Sequence, residues 1–95
     1  MKVITAVHPG IILREYLGEI TVSEAAAALD ITCETLSSLL SGRSGINADM
    51  ALRLEVALGT SPVMWLAMQA GYDLLIASQQ RRPYIKTLIK PVQCH

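Results

Sequence analysis

Apolar residues recur at three- and four-residue spacing along most of the chain, which is the period of an amphipathic α-helix. The first such stripe consists of Ile12, Leu13, Tyr16 and Leu17. Pro9 precedes this stripe and suits the first turn of a helix, and a glycine follows it. The pattern predicts a first helix from about Pro9 to Leu17.

Two short helices are predicted next. Thr21 and Glu24 have the spacing of a capping box, in which each side chain binds the backbone N–H of the other residue. The alanine-rich residues 22–29 follow and are predicted to form the second helix. Thr32 is a favourable N-cap for a third helix, which we expect to run to about Ser41 and to end before a glycine.

Two longer helices complete the predicted domain. Asn47 is a favourable N-cap for residues 48–58, which are followed by another glycine. Pro62 suits the first turn of a fifth helix that ends near Ser78 or Gln79. Gln69 and Asp73 on this helix are expected to anchor neighbouring backbone. The prediction is therefore an all-α domain of five helices.

The last fifteen residues differ from the rest in pattern and in charge. Residues 84–89 alternate aromatic or aliphatic side chains with lysine and threonine, which predicts an edge strand or an extended arm. Residues 1–80 contain all eight acidic side chains but only four of the eight basic ones, and residues 81–95 contain the other four. The chain is thus divided into an acidic domain of residues 1–79 and a basic tail of residues 80–95.

Composition narrows the class of protein. A chain of 95 residues is long enough for one domain, and the absence of phenylalanine together with abundant alanine and leucine favours helices. No apolar run approaches the roughly 20 residues that span a bilayer, so a cytosolic protein is expected. Cys33 and Cys94 are far apart and have no partners at metal-ligand spacing, so we expect free thiols and no cofactor. No nucleophile, base and acid can be placed together, which argues against an enzyme.

The second and third predicted helices have the geometry of a helix-turn-helix. A three-residue turn separates them, and Ala26 is small where the two helices must cross closely. Leu29, Ile31, Leu36 and Leu39 supply the apolar contacts to a shared core. In such a unit the second helix enters the major groove of DNA. The alternative is a helix-turn-helix that serves packing alone.

The candidate DNA-contacting residues lie at the starts of these two helices, on the outward face of the second, and just after it. Arg43 is the best-placed basic side chain, Glu34 could accept a hydrogen bond from a cytosine amino group, and hydroxyl groups at helix N-termini could donate to phosphates. The full set is Ser23, Thr32, Cys33, Glu34, Thr35, Ser37, Ser38, Arg43 and Ser44.

Several linked motifs resemble the HigA antitoxin family, also called virulence-associated protein I, whose domain is of the Xre or lambda-repressor-like type. They cover roughly residues 5–76. They comprise His8-Pro9-Gly10, Ser23 to Ala26, Leu39 to Ile46, Ala51 to Leu54, Gly59 to Pro62, and Trp65, Leu66, Gln69, Tyr72, Asp73 and Leu74. The resemblance implies a homodimer with a five-helix lambda-repressor-like fold that binds the palindromic operator of its own operon. It also implies a partner, a HigB-like toxin of the RelE type that cleaves mRNA.

The chain departs from this family in its recognition helix. Members often carry arginine where this sequence has Cys33 and Ser38, a glycine in the turn where it has Asp30, and a second basic residue where it has Ser44. An acidic domain with a neutral recognition helix begins at a disadvantage in binding phosphates. The alternatives to an antitoxin and autorepressor are therefore a stand-alone transcriptional regulator and a protein-interaction module that has lost DNA binding.

Two segments are candidates for contact with a protein partner. Trp65, Met68 and Tyr72 share one face of the fifth helix, which we predict to pack in the core and which is also a candidate for contact with a second copy across a two-fold axis. Tyr84 and Ile85 belong to the tail. For the tail three interpretations remain open: a solvated arm, a contact to the DNA backbone, or a strand that pairs with the sheet of the toxin.

Overall fold

Five helices and an extended C-terminal segment make up the part of the chain that the computed structural model describes, residues 7–89. The helices are α1 (Pro9–Leu17), α2 (Val22–Leu29), α3 (Cys33–Leu40), α4 (Ala48–Leu58) and α5 (Pro62–Ser78). The prediction of an all-α domain of five helices is confirmed. None of these helices is both long and apolar enough to cross a membrane.

Side-chain caps set the starts of the helices. Thr32 and Asn47 accept from the backbone N–H groups of Thr35 and Met50, at 3.0 and 2.9 Å. Ser61 accepts from the backbone N–H of Met64 in the first turn of α5, at 3.2 Å. These bonds satisfy donors that have no partner inside the helix. The predicted helix starts agree with the structure because each start is encoded by a local capping residue.

The capping box of α2 also lowers the pKa of the Glu24 carboxyl. The backbone N–H and the hydroxyl of Thr21 both donate to Oε1 of Glu24, each at 3.1 Å. These hydrogen bonds, the backbone one first, hold the pKa of the Glu24 carboxyl below its ordinary value of 4.5. The ionised carboxylate therefore stabilises the folded state above about pH 4.5, and that stabilisation is lost as the pH falls through the lowered pKa of the folded protein.

We therefore expect Glu24→Gln to flatten the acid side of the stability profile. Glutamine can still accept from the Thr21 N–H but does not titrate, so the free energy of unfolding should fall less between neutral pH and pH 3 than in the wild type. Urea unfolding at a series of pH values measures this difference. Glu19→Gln removes a carboxylate outside the capping box and controls for net charge. Parallel profiles for wild type and Glu24→Gln would contradict the assignment.

The core lies where all five helices meet. Leu13, Leu36, Leu54 and Trp65 are completely buried there. Contacts join α3 to α1 and α2, and join α5 to α1 and α4. Burying one such side chain contributes about 1.5 to 3 kcal/mol, so these contacts hold the two helices of the helix-turn-helix on a fixed base.

One close approach depends on a glycine. Gly10 in the first turn of α1 lies against the backbone carbonyl of Leu39 at the end of α3, so closely that a β-carbon at this position would overlap the carbonyl oxygen. His8 caps the same turn by accepting from the Gly10 N–H at 2.9 Å. His8 is thus the N-cap of α1, and this turn lies against the end of α3.

The C-terminal tail leaves the domain as an extended segment. Residues 81–89 form neither helix nor strand and are exposed throughout. Within this stretch the edge-strand alternative is not observed, because a strand needs a hydrogen-bonding neighbour and no other extended segment of residues 7–89 pairs with it. Arg82 donates to the carbonyl of Ala77 at 2.9 Å, which directs the chain past the end of α5. The last basic residue, Lys90, and Cys94 lie outside the described residues.

Candidate nucleic-acid interface

The turn between α2 and α3 is a left-handed helix cap. Asp30 has φ 57° and ψ 49°, a left-handed conformation that the short polar side chain of aspartate tolerates. Its N–H donates to Ala27 O at 3.2 Å, and the N–H of Ile31 donates to Ala26 O at 3.0 Å. This is the Schellman pattern, which ends a helix and reverses the chain. Asp30 thus performs here the conformational role that glycine often has.

The two helices cross closely because of their small and apolar residues. Ala26 is 2% exposed, and on α3 the buried face consists of Leu36, Leu39 and Leu40. These contacts turn the opposite face of α3 outward. The prediction that α2 and α3 form a helix-turn-helix with a shared core is confirmed by this packing.

The outward face of α3 forms a shallow depression of the surface. Six of the predicted DNA-contacting residues line it: Cys33, Glu34, Thr35, Ser37, Ser38 and Arg43. All six are exposed except Ser38, which is half-buried. The depression is therefore lined by three hydroxyl groups, one thiol, one carboxylate and one guanidinium.

The loop after α3 brings Arg43 to this surface. Gly42 has a φ of 83°, which turns the chain back along the end of α3. The N–H groups of Arg43 and Ser44 then both donate to the carbonyl of Ser38, at 2.9 and 3.2 Å. Among residues 7–89 no carboxylate forms an ion pair with Arg43, so its guanidinium can receive an anionic ligand. Ser44 is exposed but does not line the depression.

The N-termini of α2 and α3 lie side by side. Ser23 Oγ is 3.8 Å from the sulfur of Cys33, which places Ser23 next to the depression. The hydroxyl of Thr32 already accepts from the Thr35 N–H and lies 2.8 Å from the Thr35 hydroxyl. Thr32 therefore acts first as a helix cap. The free N–H groups and the dipole at these two helix ends favour a negative ligand such as phosphate.

The residues predicted for a protein partner are not brought together. Trp65 is completely buried, and its Nε1–H donates to the Thr60 hydroxyl at 2.7 Å. The prediction of core packing is confirmed for Trp65, which has no accessible surface in the single chain, and its contact with a second copy stays a prediction. Met68 and Tyr72 are half-buried. Tyr72 packs its ring edge-on against His8, with the centroids 4.8 Å apart.

Tyr84 and Ile85, the other two residues predicted for a partner, lie on the tail away from any helix. Their side chains are 90% and 71% exposed. The described part of the tail therefore presents large apolar side chains together with Arg81, Arg82 and Lys86. The exposed apolar side chains of this segment are suited to contact with an apolar surface of a partner.

Two further residues position the helix-turn-helix. Gln69 accepts from the Ile46 N–H at 2.8 Å and donates to Asp73 at 3.0 Å, which confirms that Gln69 anchors neighbouring backbone. Arg53 on α4 donates to the carbonyls of Leu29 and Asp30 in the turn. The sequence reasoning missed Arg53, and the available signal was its spacing of four residues from Asp49, with which it forms an ion pair.

The side chains that line the depression on α3 are suited to binding a ligand. No group of histidine, cysteine and acidic residues within residues 7–89 could hold a metal ion. The depression on α3 combines several hydroxyl groups with one unpaired guanidinium, which is a set suited to hydrogen bonds with phosphates and base edges.

Comparisons with known proteins assign the family. The helix-turn-helix family model matches residues 12–65. Virulence-associated protein A' of Dichelobacter nodosus is 40% identical over 87 residues, which cover 88% of this chain and 76% of that protein.

Solved structures agree with this assignment. An addiction module antidote protein of the HigA family from Coxiella burnetii has a TM-score of 0.72 and 35% identity, and the match covers 82% of this chain and 97% of that one. The Pseudomonas aeruginosa antitoxin HigA, solved with the higBA promoter, has a TM-score of 0.72 and 38% identity, and the match covers 77% and 83% of the two chains. The chain therefore belongs to the Xre-type helix-turn-helix family that includes the virulence-associated proteins and the HigA antitoxins, a family of regulators and antitoxins and not of enzymes.

Proposed function

We propose that the protein is the DNA-binding antitoxin of a toxin–antitoxin pair and represses its own operon. The observation that carries the proposal is the exposed polar face of α3, a depression lined both by the first residues of this helix and by Arg43, which follows it. In the P. aeruginosa relative of the same fold, HigA was solved together with the higBA promoter. A chain that shares this fold and exposes the polar face of its recognition helix is suited to the same class of ligand.

In this proposal α3 lies in the major groove and reads base edges with short side chains. Ser37 and Ser38 can donate to or accept from any base, and Glu34 can accept from the amino group of cytosine. Arg43, with the hydroxyl groups of Ser23 and Ser44, contacts phosphates and fixes the register. Thr32, Cys33 and Thr35 complete the contact surface near the start of α3.

The assembly that we propose is a homodimer on a palindromic operator. A two-fold dimer places its two recognition helices about 34 Å apart, which matches half-sites one helical turn apart. Two domains double the number of phosphate contacts, which compensates in part for the low positive charge of each α3. The half-buried Met68 and Tyr72 border the exposed part of α5 that is available for such contact.

The second proposed partner is a basic toxin of the RelE type. The described domain, residues 7–80, contains all eight acidic side chains of the protein and only three basic ones, so it attracts a basic surface. The extended tail with Tyr84 and Ile85 can add to the edge of a sheet in that partner. Bound in this way, the antitoxin would keep the toxin from its mRNA substrate.

DNA binding is tested with a fluorescent duplex that carries the upstream region of the gene, beside a scrambled duplex and at two salt concentrations. We expect preference for the native duplex. Arg43→Ala should weaken binding by about tenfold or more and reduce the salt slope by about two units, because each subunit of the proposed dimer loses one phosphate contact. Arg14→Ala removes the same charge from α1, outside the depression, and is the matched control. An equal effect of the two variants would contradict a specific role for Arg43.

The composition of the depression also supports a second candidate function. It holds one acidic and one basic side chain, so it carries no net positive charge. A protein-interaction module that has lost DNA binding would have such a surface. In the same titration this candidate predicts no salt-dependent association with either duplex, an outcome that would overturn the repressor proposal.

A further inference from the structure

Arg53 joins α4 to the turn of the helix-turn-helix. Its NH1 group donates to Leu29 O at 2.7 Å and to Asp30 O at 3.0 Å, across 24 and 23 residues of sequence. Its Nε donates to Asp49 Oδ2 at 2.8 Å on the same helix. No other side chain among residues 7–89 donates to the backbone of this turn.

These bonds satisfy carbonyl groups that the helix itself cannot. The last four carbonyls of an α-helix have no intrahelical donor. At the end of α2 the Schellman turn supplies donors to Ala26 and Ala27, and Arg53 supplies them to Leu29 and Asp30. A positive charge at this end of α2 is also favoured by the helix dipole.

The ion pair with Asp49 orients the guanidinium. The side chains of Arg53 and Asp49 are 37% and 72% exposed, and an ion pair at such exposure contributes little to stability on its own. Its effect is geometric, because it fixes the plane of the guanidinium while NH1 points at the turn. A lysine has no such planar fork and cannot make the three bonds together.

We propose that Arg53 is a positioning residue for DNA recognition, which holds the turn in register with α4 and thereby sets the orientation of α3. This inference rests on the proposed function. The helix that carries Arg53 is held rigidly, because Met50 and Leu54 anchor α4 in the core. The turn ends at Thr32, and the recognition helix begins at Cys33. Groups that read base edges must be held to within about 0.5 Å and 10 to 20°, so release of the turn weakens reading by α3 although Arg53 touches no DNA.

The test compares Arg53→Met and Arg53→Lys with Arg14→Met as the matched control for charge and substitution. Methionine keeps an apolar stem but has no donor. Both Arg53 variants should bind the native duplex less tightly, about tenfold for methionine and less for lysine, whose ammonium group can still donate to the turn but lacks the planar fork. Binding to the scrambled duplex and the salt slope should not change, because no phosphate contact is removed.

Hydrogen exchange of the turn gives a readout that does not depend on DNA. In Arg53→Met the amides of Asp30 and Ile31 should exchange faster than in the wild type, whereas amides of α5 should keep their rates. If the wild type has no sequence preference, the proposed function fails, and this local acceleration alone decides whether Arg53 holds the turn.

Three results would overturn the proposal. The first is wild-type affinity for the native duplex in Arg53→Met. The second is a salt slope lowered by about two units for the dimer, which would make Arg53 a direct phosphate contact in each subunit. The third is equal acceleration of exchange in the turn and in α5, which would make the effect one of global stability. If Arg53→Met does not fold, Arg53→Lys is judged by the same three measurements.

Discussion

Gly10→Ala is expected to destabilise the protein by about 3 kcal/mol, a large part of the stability of a domain of this size. The added methyl group would overlap the carbonyl oxygen of Leu39 and would lie 3.0 Å from Nδ1 of His8. The carbonyl belongs to the backbone of α3, so it cannot rotate away as a side chain could. To admit the methyl group, α1 must move away from α3, which opens the core around Leu13 and Leu36.

The matched control is Gly71→Ala. Gly71 lies in the middle of α5, and a β-carbon there would meet no atom within 4 Å. Alanine is favoured over glycine in a helix, so this variant should be about 0.5 to 1 kcal/mol more stable than the wild type. Urea unfolding followed by circular dichroism measures both variants. If the two substitutions shift the midpoint in the same direction, the close approach of α1 and α3 is not the constraint described here.

The His-Pro-Gly motif illustrates what sequence can predict. His8 and Pro9 act on their own turn, as cap and first helical residue, and such local roles follow from residue type and position. The need for Gly10 depends on Leu39, 29 positions later, and on how closely two helices cross. The helix starts were predictable because a capping residue acts on its own turn. The Gly10 contact was not predictable because it depends on how two helices that are distant in sequence cross.

The candidate site likewise has features that the sequence predicts and features that depend on tertiary contacts. The outward face of α3 follows from its period, because Leu36 and Leu39 must face the core and the hydroxyl groups must then face solvent. The role of Arg53 depends on two backbone carbonyls, and a carbonyl has no signature in the sequence. The tail could not be assigned because a strand forms only with a partner, and sequence pattern alone does not supply one.

The side of α5 that is buried was the feature that the sequence predicted least well. Its residues are apolar almost all round, so periodicity does not distinguish the buried side from the exposed one. Trp65 is completely buried, whereas Val63 and Leu74 on the same helix are 73% and 65% exposed. The apolar surface available to a second copy or a toxin is therefore supplied by the residues between the core positions and not by the tryptophan.

Trp65→Ala is expected to cost about 3 to 5 kcal/mol of unfolding free energy, the range for removing a large aromatic side chain from a core. Trp65 fills the space between α1 and α4, and the ring of Tyr16 packs against it with centroids 5.5 Å apart. Val63→Ala on the exposed side of the same helix should change stability by no more than about 0.5 kcal/mol. Circular dichroism is the suitable probe, because Trp65 is the only tryptophan.

Protein concentration separates this core role from the role at an interface. Stability that comes from contact with a second copy rises with protein concentration, whereas stability from a core within one chain does not. The loss caused by Trp65→Ala should therefore be the same at low and at high concentration. A loss that appears only at high concentration would show that Trp65 acts between two copies.

The hydrogen bond from the indole N–H of Trp65 to Thr60 can be tested separately from the packing of the ring. Thr60 accepts from Nε1 at 2.7 Å and donates to Leu54 O at 3.3 Å, so it connects the tryptophan to the end of α4. Thr60→Val leaves the buried indole N–H without an acceptor and should cost about 1 to 3 kcal/mol. In Trp65→Phe that donor is absent, so the further cost of Thr60→Val should be smaller. Equal costs in the two backgrounds would mean that the hydrogen bond does not hold the start of α5 against α4.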